Sequence, residues 1–180
     1  GVQTCALPIS SWRNLGIDFD GDSKADLINN PVDAIGSIAN YFAVNGWKKD
    51  EIIATRAKII GDNYDELINS KELKTLNTLA ELKSKGLDAK EGTFADSTPV
   101  SALRLQGDNG AEFWLTFNNF YVITTYNRSH LYAMAVFQLS QALKEAKQQL
   151  KTAQDTMAIA PNNTPVVGTD TPPAVVTPTP

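Results

Sequence analysis

Two neighbouring stretches decide how this chain is read: Ile17-Asp18-Phe19-Asp20-Gly21-Asp22-Ser23-Lys24-Ala25-Asp26, and then Asn30-Pro31-Val32-Asp33-Ala34-Ile35-Gly36-Ser37-Ile38-Ala39-Asn40-Tyr41-Phe42. In the first, Asp18, Asp20 and Asp22 stand at positions 1, 3 and 5 of an EF-hand-like loop, with the backbone carbonyl of Lys24 at position 7. Alternating carboxylates on a tight turn converge on one point, which suits a hard cation that takes oxygen ligands, such as Ca2+. Left alone, three carboxylates so close would repel one another. Position 6 is Ser23, where a glycine is expected for the sharp turn, and position 12 is Asn29, which cannot supply a bidentate carboxylate. A longer loop closed by Asp33 would repair the second defect. An acidic, solvated turn capping a helix would account for the same residues without a metal. The second stretch opens with Asn30 as a helix cap and Pro31 at the first helical position. Val32, Ile35, Ala39 and Phe42 recur at helical spacing and Asn45-Gly46 supplies the stop, predicting a helix over 31–44.

Outward from that helix, Glu51 to Ile60 is β-branched and predicts a strand. Tyr64 to Gly86 predicts one or two helices, with Leu67, Leu73, Leu76, Leu79 and Leu82 as a buried stripe and Gly86 just past the end. Val100–Leu105 and Ala111–Phe117 predict two strands, the second with Phe113, Leu115 and Phe117 on one face. From Asn118 the run Phe120, Ile123, Thr124, Asn127 fits a helix, which we favour over a strand because Asn118 and Asn119 can cap it. A last helix, capped by Ser129, is predicted from His130 to about Lys151, with Met134, Phe137 and Leu150 in its stripe. The order predicts an α+β fold with a small antiparallel sheet. Beyond Thr152 the Pro/Thr-rich text lacks large apolar side chains and predicts a disordered tail.

The chain has 180 residues, 42% hydrophobic and 20% charged, with a net charge of -4, which suits one modest domain and excludes the basic footprint of a nucleic-acid binder. No apolar run approaches the roughly 20 residues of a membrane span. Any polymer it binds must be held by local contacts, since its charge gives no help towards an anionic one. Gly1 to Ile9 reads as translated sequencing-adapter text, so Cys5, the lone cysteine, is silent about redox compartment and the start is silent about targeting.

With the loop and helix on the page, and with Asn45-Gly46-Trp47 behind them, the chain resembles the lytic murein transglycosylase B family. A second block carries the same resemblance: Glu112-Phe113-Trp114-Leu115, then Asn118-Asn119-Phe120-Tyr121-Val122-Ile123-Thr124-Thr125-Tyr126-Asn127-Arg128-Ser129, then Tyr132-Ala133-Met134-Ala135-Val136. The resemblance runs from about Ser10 to Ala142. It implies a lysozyme-like, mainly helical core, present in part, with a small antiparallel β-containing subdomain and the EF-hand-like loop. On that reading residues 10–47 belong to the core, 48–117 form the subdomain, 118–151 are core helices and 152–180 are tail. It implies a structural Ca2+ on Asp18, Asp20, Asp22, the Lys24 carbonyl and Asp33. The chain has one more residue between Asp26 and Pro31 than the family's usual spacing, which bears on whether Asp33 closes the site.

The activity implied is cleavage of the bond between N-acetylmuramic acid and N-acetylglucosamine without water. One glutamic acid protonates the leaving oxygen, then accepts a proton as the muramyl 6-hydroxyl closes a 1,6-anhydro ring; ordinary glycosidases need a second carboxylate. The resemblance puts that acid upstream of Ser10-Ser11-Trp12, so no catalytic residue is assigned in this chain. Glu51, Glu66, Glu72, Glu81, Glu91, Glu112 and Glu145 stand in the wrong context. Sugar contact is expected from Tyr126, with Tyr121, Asn119 and Asn127, since tyrosine offers a flat face and a hydroxyl and amides can bond N-acetyl groups. Thr125 stands where a basic residue is expected. His130 reads as a surface residue at a helix start, and Trp47 and Trp114 as core. The expected partner is peptidoglycan, with neither nucleic acid nor a transmembrane segment involved; the expected place is the periplasm or cell envelope, and the expected state a monomer. The competing reading is a calcium-stabilised module that holds peptidoglycan without cutting it.

Overall fold

A computed structural model describes residues 13–68, 74–75 and 77–159. Helix α1 spans Pro31–Val44, as its local signals predict: the Asn30 side chain accepts from the backbone N–H groups of Val32 and Asp33, and Asn45 ends the helix. Strand β1 is Ala54–Ile59, shorter than the β-branched run that announces it. A 3-10 turn at Asp65–Leu67, the short strand β2 (Asn77–Thr78) and helix α2 (Leu79–Ser84) follow. Strands β3 (Leu87–Ala89), β4 (Pro99–Gly107) and β5 (Gly110–Thr116), then helices α3 (Asn118–Tyr126) and α4 (His130–Ile159), complete the order.

Two expectations are corrected. The region 64–86 is not one or two long helices: Asn77 and Thr78 pair with Val100 and Pro99 at a sheet edge, leaving α2 only six residues. Thr78 closes it with a reciprocal capping box to Glu81, and Gly86 takes the expected positive φ of 97° just beyond its end. A Cβ at Gly86 would lie 2.7 Å from the backbone of Gly61, so this close crossing also needs a glycine. Leu73 and Leu76 fall outside the described residues. The second correction is at the far end: α4 continues to Ile159, past the predicted stop at Lys151. Residues 1–9 and the tail from Ala160 lie outside the described residues.

The five strands form one antiparallel sheet in the order β2-β4-β5-β1-β3. Its two faces explain the alternation in β5. Leu115, with Phe117 just beyond the strand, turns towards a core with Leu79, Leu82, Leu87 and Val100, while Trp114 points the other way, to Phe120, Ile123, Ala133 and Met134 of α3 and α4. Phe113 follows Leu115 and meets Tyr64 edge-on at 5.5 Å. Trp47 stacks on Phe42 at 5.5 Å and Trp114 is buried, so both tryptophans are core as expected. The α+β expectation stands. The fold divides into two units at Gln141 and Ala142, the second containing, among described residues, only the end of α4.

Candidate functional site

The acidic loop is closed by its own side chains. Asp18 accepts from the N–H groups of Gly21 and Ser23, Asp20 from that of Asp22, and Asp22 from that of Lys24. Ser23 stands where glycine was expected and still adopts φ 72°, so the turn forms at the cost of a left-handed non-glycine residue. Asn29, at the twelfth position, is diverted: its amide donates to both oxygens of Asp26. The backbone N–H of Asn29 above all, then those side-chain bonds, the Lys24 ammonium and the N–H of Ile28, hold the Asp26 carboxyl down at about 2. Asp33 takes the place Asn29 leaves. It is fully buried at the first turn of α1 and accepts from the N–H groups of Phe19 (2.8 Å) and Asp26 (2.9 Å). Those two bonds hold its carboxyl below the usual range, so it is charged at neutral pH.

Asp18, Asp20, Asp22 and Asp33 each bring one carboxylate oxygen to within 4.8 Å of the others. Oxygens on opposite sides of a calcium ion, each at 2.3–2.6 Å, lie about 5 Å apart, so the spacing fits a cation among them. All four donors are hard oxygens, and four negative charges this close need a counter-charge. The group can therefore hold a metal ion. Lys24 pairs its ammonium with Asp26 at 3.3 Å, outside the four-carboxylate group.

The loop is stitched to α1 and, through α1, to α3. Ile17 donates its N–H to the buried hydroxyl of Ser37 (2.9 Å), and Asn40 donates its amide to the carbonyl of Leu15 (3.0 Å). Phe19 lies across α1 at Gly36, where a Cβ would meet its ring at 2.4 Å. One turn on from Ser37 the Tyr41 hydroxyl donates to the carbonyl of Thr125 (2.9 Å), and its ring meets Tyr126 edge-on at 5.6 Å. Tyr126 is half-buried and also stacks on Tyr132 at 6.1 Å. The acidic loop and the tyrosine segment thus both bond to α1.

Known proteins share this fold over most of the chain. The family model described as "Transglycosylase SLT domain" matches residues 6–141. The membrane-bound lytic murein transglycosylase B of Escherichia coli (strain K12) is 39% identical over 140 residues, 78% of this chain and 37% of that protein. This chain belongs to the transglycosylase SLT-domain family. Among solved structures, the catenated lytic transglycosylase SltB1 of Pseudomonas aeruginosa superposes with a TM-score of 0.71 at 39% identity, over 76% of this chain and 44% of that one. The Escherichia coli lytic transglycosylase Slt35 in complex with calcium gives 0.63 at 36% identity, over 76% and 42%. The chain thus spans less than half the length of these relatives, and the lysozyme-like class expected for it matches their folds.

Within this family frame, the site residues separate. Tyr121 and Tyr126 are half-buried and Asn127 is exposed at the end of α3, so three of the four sugar-contact candidates reach the surface. Asn119 does not. It is fully buried; its amide donates to the carbonyls of Lys48 and Glu51 and its oxygen accepts from the N–H of Lys48. Asn118 donates to the carbonyl of Gly46, so neither asparagine caps α3, whose N-cap is Phe117 without a side-chain bond. The helix expectation holds and its stated reason does not: both amides clip the chain between α1 and β1. His130 is half-buried against Phe120, ring centroids 6.4 Å apart, and burial holds it below the usual 6.5, which corrects its reading as a surface residue.

None of the glutamates with a shifted carboxyl suits a general acid, which needs a raised value. Glu81 is held below the usual range by its capping box, and Glu112 by the side chain of Arg56. Glu72 lies outside the described residues. A cleft of about 360 Å3 is lined by Glu51, Ile53, Thr55, Glu91, Phe137 and Gln141, and Tyr121, Tyr126 and Asn127 are not among its lining. Sequence reasoning missed Tyr41, whose role depends on a contact 84 positions along the chain. It also missed the Asn30 amide, which donates to Asp20 at 2.7 Å and ties the helix cap to the acidic group; its signal was the asparagine cap itself, so close to the loop.

Proposed function

We propose that this chain is the metal-clipped part of a peptidoglycan lytic transglycosylase, acting on the bond between N-acetylmuramic acid and N-acetylglucosamine in the bacterial envelope. The match over residues 6–141, which contains both the acidic loop and the Tyr126 segment, carries this reading. The metal is a structural Ca2+ held by Asp18, Asp20, Asp22 and Asp33, with the Lys24 carbonyl as a further ligand. A calcium complex of Slt35 supports that choice of ion. Calcium supplies no chemistry to the reaction; it neutralises the loop and fixes the start of α1. Through Tyr41, α1 then sets the height of Tyr126 and Thr125. Tyr126, Tyr121 and Asn127 meet the glycan: the rings offer flat apolar faces to pyranoses, and the amide bonds an N-acetyl group. Asn119 is left out of that set. Proton donation belongs to a glutamic acid outside this chain.

The test uses the chain itself with purified murein sacculi. It should sediment with them in calcium, less so after chelation, and less so when Tyr126→Ala is introduced, and it should release no anhydromuropeptides. No sedimentation in either condition would reject the glycan reading. Release of anhydro products would mean that a carboxyl of this chain does the chemistry.

A further inference from the structure

The chain holds two Asn-Gly pairs, Asn45-Gly46 and Asn109-Gly110. In such a pair the side-chain carbonyl carbon of the asparagine lies within reach of the next backbone nitrogen, so attack is intramolecular. Glycine carries no side chain to shield that nitrogen. The glycine halves of the two pairs match: Gly46 has φ 90° and Gly110 φ 113°, and a Cβ at either would meet nothing within 4 Å. The asparagine halves differ. Asn45 is half-buried at the end of α1, and its side-chain amide donates to the carbonyl of Tyr41 at 2.8 Å. Its own N–H donates to the same carbonyl at 3.1 Å, and the N–H of Gly46 donates to the carbonyl of Ala43 at 3.2 Å. Side chain and attacking nitrogen are both held, the first folded back along the helix. Asn109 is exposed at the tip of the β4–β5 hairpin, and its side chain bonds to no described residue. The flanking Gly107–Gly110 pair is the last of that ladder, and end pairs open most readily.

We propose that Asn109 is a site of spontaneous deamidation, and that the fold protects Asn45, which carries the same dipeptide. The backbone nitrogen of Gly110 gives up its proton to solvent and forms a bond to Cγ of Asn109. The Cγ–Nδ2 bond breaks, and Nδ2 takes a proton from solvent and leaves as ammonia. What remains is a five-membered succinimide ring. Water then opens the ring at one of its two carbonyls. Opening at Cγ leaves an ordinary aspartyl link; opening at the backbone carbonyl leaves an isoaspartyl link, with the chain running through the side-chain carbon. Either product adds a carboxylate beside Asp108. The step consumes one water, releases one ammonia and needs no oxidant, metal or glycan. Asn45 would have to break its bond to Tyr41, and Gly46 its bond to Ala43, before the same attack could begin.

The test keeps the full chain folded in mildly alkaline buffer over days, then digests it and follows both peptides by mass spectrometry. The peptide with Asn109 should exchange its amide for a carboxyl at least about tenfold faster than the peptide with Asn45, a gap that two ordinary hydrogen bonds can supply. In urea the two should convert at similar rates, which assigns the gap to the fold rather than to the neighbouring residues. Asn109→Gln keeps an exposed amide at the tip but would need a six-membered ring, so the acidic species seen on ion exchange should not accumulate in it. Equal rates at positions 45 and 109 in the folded chain would overturn the proposal. So would an Asn109 that stays intact in the folded chain yet converts in urea, since the turn would then protect it.

Discussion

Asn119 and Tyr126 sit on one short helix and were expected to do the same thing, yet their surroundings separate them. Asn119 bonds three backbone groups of the Lys48–Glu51 turn. Asn119→Ala removes those three hydrogen bonds, and at roughly 0.5–1.5 kcal/mol each the loss should total about 2–4 kcal/mol. Urea unfolding should find that loss with no change in murein sedimentation beyond what instability explains. Tyr126→Ala gives up ring contacts worth about 0.5–1.5 kcal/mol each and should instead weaken sedimentation with sacculi. The reverse pattern would exchange their roles. Glu112 offers a pH test in the same core. It accepts from Arg56 at 2.8 Å, and Arg56 lies 4.1 Å over the ring of Trp114. Its carboxyl is held below the usual 4.5, chiefly by that hydrogen bond. The unfolded chain therefore binds the proton more tightly, so this stabilisation is whole above that value and lost as pH falls through the lower folded one. Melting curves of wild type and Glu112→Gln should converge on acidification below that value; a constant gap would mean that the ion pair contributes nothing.

At the scale of elements, α1 shows what a sequence states openly. Its start is written in Asn30-Pro31 and its end in Asn45-Gly46, each signal within a turn of the place it marks, so the bounds matched. Asn30→Ala should cost about 0.5–2 kcal/mol as a lost cap, and should also reduce calcium affinity because the amide bonds Asp20. Thermal melts with and without the ion would separate the two effects. Gly36→Ala should destabilise by driving Phe19 off the helix. The segment 64–86 shows what a sequence hides. Its leucines are spaced for a helix, but Asn77 and Thr78 answer to Val100 and Pro99, more than twenty residues away, and no local pattern records that pairing. The end of α4 was misread for a different reason: Thr152 begins a drift towards tail composition, while Ala153, Gln154 and Asp155 still allow the helix to propagate and no proline intervenes before Pro161. That Asp18, Asp20, Asp22 and Asp33 gather in one acidic group was legible because three of them lie on one loop. The Tyr41–Tyr126 contact was not, since it joins elements far apart in sequence.

Across the whole molecule, one question decides whether the acidic loop is a mere cap or the clamp that the rest depends on. Buried Asp33 bonds the loop at Phe19 and Asp26 and stands at the start of α1; Tyr41, further along that helix, bonds Thr125 and meets Tyr126. An ion bound by the four carboxylates acts on the folded chain only, so saturating it a hundredfold above its dissociation constant should add about 2.7 kcal/mol. The expected result is a clear rise in melting temperature with calcium, reversed by chelation. Asp20→Ala and Asp22→Ala remove exposed ligands and should abolish the rise while leaving the metal-free melt almost unchanged, or slightly higher, because repulsion within the group is relieved. Asp33→Asn differs: it weakens two backbone bonds as well, so the metal-free protein itself should melt lower. If Asp33 serves only those bonds, its variant will still gain the full calcium increment from a lower starting point. If it closes the site, the increment disappears with it. Tyrosine fluorescence of a Trp12→Phe, Trp47→Phe, Trp114→Phe background would extend the argument to α3: calcium should change it in wild-type Tyr126 and not in Tyr126→Phe, and an identical response in both would cut the link between metal and glycan segment.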